Sequence, residues 1–298
     1  MSTAASPGTP APTVTPAPFV SRPFAGLAGE TDWVALREIV PAATAPIRLD
    51  PQTPALAGVI GPDPGAAQLD LTVATLLPMA VAGVHRADGA RLLALQSIPS
   101  SGDASRDVAA VILALLGLPS GEAVATGPAA TVATPRLQDL LDLGVPFAVT
   151  VHDRFDYWLS GNGGTEQVRA AVDEASQAIS PTTKLAGVES AYCTRVGERV
   201  YLRWFLPYDE DQATDALARL HVTRSDTLGG QTRLLGAFRA CGLLVPVWEL
   251  DPALEPARYQ QPLADLAERL EQASGAGPLD AQQRRARAGL LSRQVTLR

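Results

Sequence analysis

Cysteine is almost missing from this chain of 298 residues: only Cys193 and Cys241 are present. Two thiols exclude a disulfide framework and a self-contained zinc site built from four cysteines. Lysine is scarcer still, since Lys184 is the single lysine among 24 basic side chains. Long apolar runs are missing too. The longest, Val108 to Leu118, covers about half of the ~20 residues a bilayer crossing requires. No charged side chain occurs before Arg22, so the basic start of a secretory signal is absent, and the expected location is the cytoplasm. The formal charge is −7, which provides no broad field for coating nucleic acid.

What is present is a globular composition, with 46% hydrophobic residues and 18% charged. Twelve of the 25 prolines fall within the first 64 residues. Residues 1–18, rich in Pro, Ala and Thr, are expected to form a solvated tail, because they have little to bury. Pro51–Gly65 reads as a loop, and Pro119–Thr134 as a linker between two halves. The expected organisation is a first subdomain at 19–118, a linker at 119–134, a second subdomain at 135–252 and a helical segment at 253–298.

Periodicity and turn chemistry suggest the elements. Trp33, Leu36 and Ile39 or Val40 mark a short helix that Thr31 or Asp32 can cap and Pro41 stops. Strands are expected at Ile47–Leu49 and Leu69–Leu77, then a hairpin turning at Asp88-Gly89, then a helix from Asp103 or Ser105 to Leu116. In the second half, Thr134-Pro135 starts a helix ending at Gly144, and the alternation of Phe147 to Leu159 predicts a long half-buried strand. Helices follow at Thr165–Ile179, Asp209–His221 and Thr232–Ala240, with a hairpin at Val188–Leu206 between the first two. The strand Leu243–Leu250 contains Pro246, which suggests a sheet edge. Pro262–Ala273 and Asp280–Leu291 close the chain as helices. The fold class is therefore α+β, with a mixed, mainly antiparallel sheet and packed helices. A shift of 108 residues superposes Gly89 on Gly197, Arg91 on Arg199, Pro99 on Pro207 and Asp103 on Asp211, so two related β-hairpin–α halves are an open alternative.

None of the three histidines forms a local catalytic motif. His152 lies near Asp153 and Asp156, His85 near Asp88, and His221 at a basic helix end where the dipole accounts for it. Neither cysteine stands in a nucleophile motif. The stretch Ser100–Asp107 has one glycine and no lysine, so it lacks both parts of a phosphate loop. The run Gly161–Gly164 reads as a turn. No cofactor, metal or catalytic residue is expected.

The arginines remain. Arg203, Arg219, Arg224, Arg233 and Arg239 fall within 37 residues and suit carboxylates or phosphates on a partner. The leading expectation is a non-enzymatic interaction or adaptor module with a protein partner. An enzyme or small-ligand binder assembled from distant residues such as His152, Asp156, Lys184, Arg203 and Arg233 is the alternative. A third reading is an RNA- or ribosome-associated factor.

The stretches RPFAGLAGETDWVALREIVPAATA, SSGDASRD, PRLQDLLD, LARLH, TRLLGAFRACGLLVPVWEL and RQVTLR resemble, in order, an uncharacterised actinobacterial family of unknown function. Some relatives carry an N-terminal cysteine-rich zinc motif of the SEC-C type and are labelled SecA-like. Here no cysteine or histidine precedes His85, so the resemblance brings neither zinc nor a translocase role.

Overall fold

The computed structural model describes residues 15–57, 59, 69–159 and 165–292. Most of the expected tail, about half of the Pro51–Gly65 stretch and the Gly161–Gly164 run lie outside them. Among the described residues, six helices and two sheets confirm the α+β class.

The first sheet has the order β5-β3-β4-β2-β1-β6. Its strands are β1 (Ala43–Arg48), β2 (Asp70–Ala74), β3 (Gly83–His85), β4 (Arg91–Ala94), β5 (Ala123–Val124) and β6 (Thr150–Val151). Only β2 and β4 run parallel. Leu71 and Val73 of β2 and Leu93 of β4 face α1 (Glu30–Glu38) and α2 (Ala104–Leu116), whose Val34, Leu36, Val108 and Ile112 complete a core. Asp103 caps α2 by accepting from the Ser105 N–H, as its type favours.

The second sheet is wholly antiparallel, in the order β10-β11-β9-β8-β7. It comprises β7 (Thr182–Lys184), β8 (Ala191–Val196), β9 (Arg199–Trp204), β10 (Arg233–Ala240) and β11 (Leu243–Leu250). One face carries Leu202, Trp204 and Trp248 against α4 (Glu210–Val222), α5 (Gln260–Ser274) and α6 (Ala281–Ser292). The other face sends Tyr192, Phe205, Leu243 and Val245 into the core of the first sheet. There Trp33 stacks on Phe147 with ring centroids 4.2 Å apart. The two sheets thus share the core that lies between them.

Several expectations are corrected. The expected helix over Thr232–Ala240 is strand β10; a bulge between Leu234 and Gly236 disturbs its alternation and hides the period of two. Gly242 lies just past this strand. With Cys241 it forms the hairpin turn between β10 and β11, both at positive φ, 45° and 77°. β11 is an interior strand, and its Pro246 is tolerated because it lies just past Val247–Arg203, the last registered pair with β9. The Thr134–Gly144 helix is a single 3-10 turn, Leu137–Asp139. The long strand at Phe147–Leu159 shrinks to β6 and a 3-10 turn at Asp156–Trp158, where Phe155 stacks on Trp158. Neither Thr31 nor Asp32 caps α1. Gly29 holds that position, and both side chains are buried.

Residues 119–134, expected as a linker, contribute β5, and Leu137, Leu140 and Phe147 belong to the first core. Within the expected tail, Pro16 bridges to Thr131 and Ala17 is buried. Both sheets contain a hairpin followed by a helix, β3–β4 then α2 and β8–β9 then α4. The pairing around them differs: β4 has a parallel neighbour in β2, whereas β9 has an antiparallel one in β11.

Candidate functional site

The inner face of the second sheet carries charged and polar residues beside the apolar ones that it gives to the core. Residues opposite one another in register share a face. Lys184, Tyr192, Arg203 and Val247 stand opposite in turn, making one row across β7, β8, β9 and β11. The next row is Thr182, Thr194, Tyr201, Glu249 and Arg233. Along β9, Arg199, Tyr201 and Arg203 alternate onto this same face.

At the closed end, Asp32 projects from the first turn of α1 into the sheet. Its Oδ2 accepts from Lys184 Nζ at 2.5 Å, and its Oδ1 accepts from the Tyr192 hydroxyl at 2.7 Å. Ser190 Oγ donates to Oδ1 as well and lies 2.7 Å from Thr31 Oγ1. Ser190 holds this position at φ 52°. Burial, reinforced by the Asp32 charge, pushes the Tyr192 phenol far above its ordinary range, so it remains a donor to the carboxylate. The carboxylate is thus fully hydrogen-bonded, the condition under which a buried charge is tolerated.

Arg203 is in a different state. It is 8% exposed, and its Nε is buried without a hydrogen-bond partner among the described residues. Burial lowers its pKa, with Tyr201 opposing. At the open end, Arg233 donates to Glu249 at 2.7 Å and Arg199 approaches the same carboxylate at 3.9 Å, with 71% and 70% of these arginine side chains exposed. The face therefore holds Lys184, Arg199, Arg203 and Arg233 against Asp32 and Glu249, a surplus of positive charge on an acidic protein.

The other candidates are placed elsewhere. Arg239 pairs with Glu210 on the helix-facing side of β10, opposite to Arg203. Arg219 donates to the Ala273 and Ala276 carbonyls at 2.9 and 3.1 Å, and to Gly277, closing the end of α5. Arg224 is exposed just beyond α4 at φ 56°. His152 Nε2 lies 2.8 Å from Thr44 Oγ1; desolvation lowers its pKa against the opposing pull of Asp156 and Asp153. Asp156 binds Arg154. Burial raises the Cys193 thiol to about 12 and the Cys241 thiol to about 11, so neither is an activated nucleophile. Among the described residues, no group of three His, Cys, Asp or Glu is arranged to hold a metal, and no helix is long and apolar enough to cross a membrane.

A family model described as "Family of unknown function (DUF5926)" matches residues 23–298. The chain belongs to that family. No curated protein and no solved structure matches it. The DUF5926 match spans the whole cluster, from Asp32 through Lys184, Ser190 and Tyr192 to Arg203. Of these, the sequence pointed to Lys184 and Arg203. It missed Thr31, Asp32, Ser190 and Tyr192, because an acid in a first helical turn looks like a dipole or capping residue. The isolated lysine of this DUF5926 chain was the available signal that a specific acid awaited it.

Proposed function

We propose that this protein is a non-enzymatic interaction module of the cytosol, which docks an acidic protein partner on the open end of the cationic face at Arg199 and Arg233. The observation that carries the reading is the surplus of cations on that face in a chain of formal charge −7. The settings of the chemical groups support binding over catalysis: Ser190 is fully buried, His152 bonds to Thr44, and both thiols are held neutral. Exposed pairs such as Arg233–Glu249 are worth at most about 1 kcal/mol to folding, which leaves these arginines free to serve recognition.

Crosslinking and affinity capture from native lysate test this. The double variant Arg199→Glu/Arg233→Glu is expected to keep a near-wild-type melting curve and to lose the principal captured protein. Undiminished capture by the folded variant would place the docking surface elsewhere. Captured RNA, with affinity falling steeply in salt, would replace the protein-partner reading with nucleic-acid binding.

A further inference from the structure

We infer that Arg203, which shares a sheet face with Lys184 and Tyr201, is the inner end of a binding site for a small oxyanion, a carboxylate or a phosphate. This rests on the face described above as a binding surface, but not on the docking of a protein partner.

The first ground is the state of Arg203. A guanidinium carries five donors in a planar fork and is seldom buried unless that fork is used. Here Nε is buried with no partner, and no ion pair to Arg203 forms among the described residues. The two acids of the face are already committed, Asp32 to Lys184, Ser190 and Tyr192, and Glu249 to Arg233. An arginine in this position costs stability that a methionine would not. A ligand that completes its hydrogen bonds gives a reason for the sequence to hold it.

The second ground is the arrangement around it. Lys184 reaches Asp32 with one donor, is about a quarter exposed, and its ammonium sits 5.9 Å from the centre of the Tyr192 ring. An ammonium has three donors, so Lys184 keeps donors beyond the one that Asp32 uses. The Tyr201 hydroxyl lies against Arg199, whose pKa it raises, and Tyr201 follows Arg203 in the next row outward. Arg203 is 8% exposed and the Arg233 side chain, one row outward, 71%, so the face opens toward solvent on the Arg233 side. A planar carboxylate or a phosphate suits the forked donor of Arg203, whereas a cation would meet its unneutralised charge.

The test uses the full-length protein. Thermal unfolding and calorimetric titration are run with inorganic phosphate and, separately, with citrate, against sodium chloride of equal ionic strength. Wild type is expected to melt higher in at least one of the two anions than in chloride, and to bind it saturably. Response to phosphate alone names a phosphate ligand, and response to citrate alone names a carboxylate. Arg203→Met is expected to melt no lower than wild type in chloride and to lose the anion-dependent rise. Arg203→Lys keeps the charge but loses the fork, and is expected to bind at least tenfold more weakly. Absence of any gain over chloride in wild type would overturn the site. So would a rise retained by Arg203→Met, or unchanged affinity in a folded Arg203→Lys, which decides the matter if the methionine variant does not fold. Anion binding that persists in Arg199→Glu/Arg233→Glu while partner capture is lost keeps the two readings separate.

Discussion

Asp32 accepts hydrogen bonds from side chains that stand 152 to 160 positions further along the chain. Its cost in desolvation is offset only while all three donors are in place, because an ion buried with incomplete partners is among the most destabilising features a core can hold. Asp32→Asn preserves the shape and removes the charge facing Lys184. We predict a loss of about 3 kcal/mol, the low end for breaking a buried pair because Lys184 is partly solvated, measured by urea unfolding. Adding Lys184→Met to that variant removes the stranded ammonium and should recover at least half of the loss. A single-variant cost below about 1 kcal/mol would mean that the cluster is a surface pair in energetic terms.

Among the elements, the β10–β11 hairpin shows how a turn sets a strand that composition alone assigns elsewhere. The residues Leu234, Leu235, Ala237 and Phe238 suit a helix as well as a strand. Cys241 and Gly242 at positive φ reverse the chain tightly, and β11 then offers a complete ladder to pair with. Gly242 is doubly constrained. Its φ is 77°, and a Cβ there would stand 2.7 Å from the Ser21 carbonyl oxygen, where the N-terminal segment crosses the turn. Gly197, in the β8–β9 turn at φ 58°, has open space around it. Gly197→Ala should therefore cost only the left-handed strain, about 1 kcal/mol, whereas Gly242→Ala adds steric displacement and should cost about 2–3 kcal/mol. Chemical denaturation of the two variants side by side checks this; equal costs would show that the crossing segment yields freely.

At the scale of the molecule, the two sheets are joined by apolar and polar contacts at once. Tyr192, Phe205, Leu243 and Val245 of the second sheet complete the first core, and Asp32 of α1 anchors in the second sheet. Neither half retains its buried surface without the other. We predict a single cooperative unfolding transition, with calorimetric and van't Hoff enthalpies in agreement. Two resolved transitions would show that the seam is weaker than the packing of each sheet. Residues 19–118 and 135–252 would then be units in the energetic sense that the sequence suggests.

Local chemistry by itself determined the elements whose signals are short-range. Asp103 and Ser105 mark the start of α2, Thr165 and Asp209 cap α3 (Glu166–Gln177) and α4, and Asp88-Gly89 turns the β3–β4 hairpin. These are readable because the groups that decide them lie within a few residues of one another. The α+β class followed from the mixture of periods. Tertiary structure decided the rest. It made a strand of Thr232–Ala240, placed Pro246 in an interior strand beyond a ladder end, and reduced Phe147–Leu159 to a two-residue edge strand and a turn. It also decided the candidate site. The alternation Arg199, Tyr201, Arg203 puts three residues on one face, but nothing local says which face meets the other sheet. Lys184 and Asp32 become partners, and Arg203 Nε is left without one among the described residues, only when two sheets formed from distant stretches of chain close over the same core.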